Sequence, residues 1–83
     1  MTPIATFPTL DDAESALDWI GVEFTEGDGA FGGELSGDDW ELLGTAAADV
    51  EAPGPVRDLA RAMLARWEAL GGDSLPFAVA YAA

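Results

Sequence analysis

The hydrophobic residues change period at Gly21, and that change leaves few folds open. Before it, Leu10, Ala13, Leu17 and Ile20 recur at i, i+3, i+7 and i+10, the spacing of one helical face. After it, Val22 and Phe24 alternate with Glu23 and Thr25, and Phe31, Gly33 and Leu35 alternate with Gly32 and Glu34, which is the period of a strand. A chain of 83 residues has material for one core. Both periods must therefore meet in it, and the expectation is a single α+β domain over residues 1–83, with two main helices on an antiparallel sheet of about three to five strands.

Punctuation along the chain supports that division. Thr9 is placed as the N-cap of the first helix with Asp12 three residues on, and Gly21 as its C-cap. A tight turn at Gly27-Asp28 places Phe24 opposite Phe31 on the core side. Residues 36–50 admit two readings. As a strand, Trp40 to Leu43 follows a turn at Gly37-Asp38, with Trp40 opposite Leu35 and Glu41 opposite Glu34; as a helix, Asp38 and Glu41 form a capping box and Trp40, Leu43, Ala47 and Val50 share a face. The strand is preferred. Pro53-Gly54-Pro55 breaks the chain, and Val56, Leu59, Met63, Leu64 and Trp67 define a helix from Pro55 to about Leu70, stopped by Gly71-Gly72. Phe77, Val79 and Tyr81 alternate with alanines as a final strand, while Pro3 and Pro8 confine any strand in residues 2–7 to a short edge.

Charge is the second constraint. Sixteen Asp and Glu stand against three Arg, with no His and no Cys, for a net charge of −13. With no Lys either, a histidine base, a lysine Schiff base, a cysteine nucleophile, a Cys/His zinc site and a disulfide framework are excluded by inventory. An enzyme is not expected. Direct nucleic-acid binding is not expected either, since it depends on cations that neutralise phosphates. No run approaches the roughly 20 apolar residues of a membrane span, and Met1-Thr2-Pro3-Ile4 lacks the regions of a signal peptide, so the expectation is a cytoplasmic protein without membrane contact or cofactor.

Three local patterns match known motifs in part. Gly27-Asp28-Gly29-Ala30-Phe31-Gly32 fits the GxGxxG spacing of dinucleotide sites, but that motif aims a helix N-terminus at pyrophosphate, and here the glycines open a second strand among Glu26, Asp28 and Glu34. Leu70-Gly71-Gly72-Asp73-Ser74-Leu75 resembles the signature of peptidyl and acyl carrier proteins, and the resemblance implies phosphopantetheine on Ser74. In that family the serine opens a long helix, whereas Pro76 follows almost at once here. Asp28, Glu34, Asp38 and Asp39 lack the spacing of an EF-hand calcium loop, and no metal is expected.

The distribution of charge says more than its sum. The first 54 residues hold 13 acids and no base, and the remainder holds three acids and all three Arg. A salt-adapted proteome also yields acidic chains, but an anionic segment beside a balanced one gives a directional field. Candidate partner-binding residues are Asp11, Glu14 and Asp18 on the first helix, Glu23, Glu26, Asp28 and Glu34 about the hairpin, and Asp38, Asp39 and Glu41 beyond it, with Trp19 or Trp40 as an apolar anchor if exposed.

Such a surface suits a cationic groove. The expected partner is a basic nucleic-acid-binding protein or nuclease complex whose groove the chain occupies by imitating duplex charge. In size and charge alone this is similar to anti-restriction and anti-CRISPR proteins of phages and mobile elements. A second class is an immunity protein or antitoxin that plugs a nuclease toxin, which would depend heavily on one or two acids. A third is a subunit of a larger assembly, with an apolar patch near Arg57, Arg61 and Arg66.

Overall fold

The alternating segments pair into one four-stranded sheet, and three helices share a core with one of its faces. A computed structural model describes residues 2–82. In chain order the elements are β1 (Ala5–Phe7), α1 (Leu10–Ile20), β2 (Thr25–Glu26), β3 (Ala30–Leu35), α2 (Asp39–Ala48), α3 (Gly54–Leu70) and β4 (Leu75–Tyr81). The strands lie in the order β1-β4-β3-β2, and the molecule is 18 Å across its shortest axis, the depth of one sheet and one helical layer. The α+β class is as expected. Two details differ: a third helix is present, and the sheet is mixed because β1 runs parallel to β4.

Alternation decides which face is covered. Phe31 and Leu35 of β3 and Leu75, Phe77 and Val79 of β4 are buried, and they join Leu17, Leu43, Leu59 and Met63 of the helices in one cluster. Each large side chain removed from water in this way contributes roughly 1.5–3 kcal/mol. The residues between them, among them Glu34, Pro76 and Ala78, form the open face, where none is buried. Pro76 is tolerated in an inner strand because the ladder to β1 starts only at Val79, so no neighbour on that side needs an N–H from residue 76.

The hairpin register is two positions away from the expected one. Thr25 pairs with Gly32 and Glu26 with Phe31, and the Gly27 N–H donates to the Ala30 carbonyl at 2.8 Å, so the two loop residues are Asp28 and Gly29. Gly29 takes φ +74°, the left-handed region that a glycine enters without strain. Moving a two-residue loop by one position changes each partner by two, which preserves side-chain parity. Phe24 is therefore still on the side of Phe31 and meets it edge to face, ring centres 5.0 Å apart.

Residues 39–48 are helix, which overturns the preferred strand over Trp40 to Leu43 and with it the facing of Glu41 on Glu34 and of Trp40 on Leu35. Glu34 stands opposite Pro76 and Leu35 opposite Leu75. The reason is local. Asp39 Oδ2 accepts from the Ser36 N–H at 2.8 Å and from its hydroxyl at 3.4 Å, half of a capping box, and the first turn then holds acids where the helix dipole favours them. As a strand, the same residues would have set like charges face to face.

The remaining helices begin and end where expected. The Thr9 hydroxyl accepts from the Asp12 N–H at 3.1 Å, and Gly21 closes α1 at φ +92°. Pro55 sits in the first turn of α3, whose Val56, Leu59, Ala60, Met63 and Trp67 are buried. At its far end the Trp67 indole N–H donates to the Gly72 carbonyl at 3.3 Å, which ties the connection into β4 to the helix it leaves.

Candidate functional site

Helical geometry sets the first group of acids. With Ala13, Ala16, Leu17 and Ile20 buried, Asp11, Glu14 and Asp18 fall within an arc of about 60° on the opposite side of α1, and all three are exposed. Asp11 lies in the first turn, where a negative charge is favourable, but Asp18 lies in the last turn, which holds no base. Glu14 and Asp18 are also a like-charged i,i+4 pair. Helix stability alone does not call for Asp18.

The other candidates gather in separate places. Glu23 and Glu34 line one shallow groove beside Gly32 and Gly33 at the edge of the sheet. Glu26 and Asp28 flank the hairpin tip, where the Tyr81 hydroxyl donates to the Gly27 carbonyl at 3.2 Å. Loss of solvent around the ring, and then the charges of Glu26 and Asp28, raise this phenol above its usual 10.0. Asp38 and Glu41 are exposed at the start of α2, while Asp39 is half-buried and engaged by Ser36. Nine of the ten carboxylates are thus exposed and Asp39 is a cap. They are distributed over several surfaces, not one face.

The cations lie elsewhere. Arg57, Arg61 and Arg66 all belong to α3. The one ion pair among the described residues is Arg61–Asp58 at 3.9 Å, within that helix and exposed, and Arg61 also donates to the Ala47 carbonyl at 3.4 Å near the end of α2. No Arg is in an ion pair with an acid of α1, the hairpin or α2.

The two candidate anchors differ. Trp40 is 41% exposed but meets the buried Trp67 edge to face at 5.3 Å, so it is part of the packing between α2 and α3. Trp19 is 50% exposed and stands where two grooves meet. Pro53, Pro55, Val56 and Asp12 border one, and Leu42, Thr45 and Glu41 border the other. The flank position of Trp19 beside Asp12 was readable from helical spacing; its neighbours on α2 and α3 were not.

The motif matches do not become sites. Residues 27–32 form the hairpin turn and the start of β3, with no helix N-terminus for a pyrophosphate. Ser74 lies in the turn between α3 and β4, and the element that follows is a strand, so the helix that opens at the serine of carrier proteins is missing. Among the described residues no three acids converge as a metal site, and no helix is long and apolar enough to cross a membrane. Comparison with family models, curated proteins and solved structures finds no match for the chain.

Proposed function

We propose that this protein is a small acidic inhibitor that occupies the cationic nucleic-acid-binding groove of a partner protein, in the manner of a DNA mimic. One observation carries the reading: the 13 acids of the first 54 residues have no base in their own segment, and no Arg of α3 forms an ion pair with them. Duplex DNA carries about one negative charge per 1.7 Å of axis, and a groove built for it attracts carboxylates held apart on a rigid body. Asp18 supports the reading further, since it sits where the helix dipole opposes it. The partner is a basic nucleic-acid-binding protein or nuclease complex in the cytoplasm. The role is binding without catalysis, with association steered by charge and weakened by salt.

The test is capture of a nucleic-acid-binding protein on the tagged chain at ~0.15 M salt, where exposed charges are screened beyond about 8 Å. Duplex DNA should displace the captured protein. A variant with Asp11, Glu14, Asp18, Glu34 and Glu41 changed to Ala, which leaves the Asp39 cap intact, should fail to retain it. Equal capture by both forms, or a partner that DNA does not displace, would overturn the reading.

A further inference from the structure

We infer that Trp19 is the anchor of this surface and that the segment it receives is a basic amphipathic helix of the partner, with apolar side chains entering the grooves on either side of the indole. The inference rests on the inhibitor reading and adds the chemistry of the segment bound. The two grooves measure about 280 Å³ and 450 Å³, and Trp19 is common to both. One is walled by the prolines that open α3, the other by Leu42, itself 40% exposed on α2. Half of a large indole is left in water although its neighbour Ile20 is buried, and among the described residues no ring packs on it as Trp67 does on Trp40.

Charge complementarity selects the occupant. Asp12 borders the first groove, Glu41 the second, and Asp18 precedes Trp19 in the chain, whereas no Arg borders either. An acidic segment would be repelled, and a neutral one would leave the carboxylates unused. A helix with apolar residues at i, i+4 and i+7 flanked by Arg meets both demands: the apolar residues fill the grooves, and guanidinium groups reach the carboxylates or stack on the indole. Trp is among the residues enriched at binding hot spots, and the apolar walls on either side of Trp19 are of the kind that exclude water around such an anchor.

The experiment is calorimetric and NMR titration of the full chain with three synthetic peptides of about 14 residues, ~21 Å long as helices. The first is an amphipathic Leu/Arg helix, the second the same residues in scrambled order, and the third the ordered helix with Gln for Arg. The ordered basic peptide should bind at least about tenfold more tightly than either control and shift the Trp19 indole and Leu42 signals. Trp19→Ala and Leu42→Ala should each abolish the preference for the ordered peptide and leave affinity for the scrambled one unchanged. Equal, salt-sensitive binding of ordered and scrambled peptides overturns the anchor while the charge-based reading stands. Binding of neither basic peptide overturns both. Equal binding of the Gln peptide, or a homodimer that Trp19→Ala dissociates, assigns the grooves to a neutral segment or a second copy and overturns the inference.

Discussion

The ring of Phe77 lies over Gly33, its directly paired neighbour across β3 and β4. A Cβ on Gly33 would stand 2.9 Å from the Phe77 Cε1 atom and 2.7 Å from the Glu23 carbonyl oxygen. The close approach of the segment entering β2 and the seating of a buried aromatic thus depend on one missing methyl group.

Gly33→Ala is expected to cost about 1–3 kcal/mol by overpacking, read from the midpoint of urea unfolding. Gly32→Ala, whose Cβ would meet only the Phe77 carbonyl at an ordinary 3.6 Å, should cost far less. Equal losses at the two glycines would mean that strand propensity, not the contact with Phe77 and Glu23, sets the requirement.

Asp38 and Asp39 are adjacent acids with different work. Asp39→Ala removes the acceptor of the Ser36 N–H and should cost about 1 kcal/mol. Asp38→Ala, which breaks no side-chain cap bond, should change stability by a few tenths. Thermal unfolding of the two single variants separates them, and an equal effect would remove the capping role from Asp39.

Asp18→Asn should stabilise the protein by ~0.3–1 kcal/mol, because it relieves an adverse helix-dipole interaction and the repulsion from Glu14. The same change should weaken partner binding, as expected where stability has been traded for function. A destabilised Asp18→Asn would show that the carboxylate has a structural partner.

Tyr81 makes stability fall at alkaline pH. Its phenol holds its proton to a higher pH folded than unfolded, so above 10.0 the unfolded chain releases its proton first and is favoured. The contribution is complete below that pH and lost as pH rises through the folded value. The melting temperature of the wild type should therefore decline more steeply over this range than that of Tyr81→Phe, and parallel profiles would refute the assignment.

What could be read from the sequence was what depends on neighbours in the chain. The helices of Leu10–Ile20 and Gly54–Leu70 and the strand ending at Tyr81 follow from period and caps, and the exposure of Asp11, Glu14 and Asp18 follows from the burial of the opposite face. Trp40 to Leu43 satisfied both periods, and only the bond from Ser36 to Asp39, with acids at a helix start, decides for the helix. The turn expected at Gly27-Asp28 lies one residue later, at Asp28-Gly29, a shift that only the cross-strand pairing decides. The parallel ladder of β1 on β4 joins residues more than 70 positions apart, a relation that no local pattern encodes. The meeting of two grooves at Trp19 depends in turn on where α2 and α3 pack.

The place of β4 in the sheet also fixes the order of events during synthesis. It follows every partner in the chain, yet it lies between β1 and β3 and carries Leu75, Phe77 and Val79 into the core. Until those residues have left the ribosome, β1 has no strand to pair with and the β2–β3 hairpin lacks its inner neighbour. The sheet of this domain accordingly closes only once its last strand is available, and a nascent chain stalled before Leu75 would present a half-made sheet to the cell's proteases.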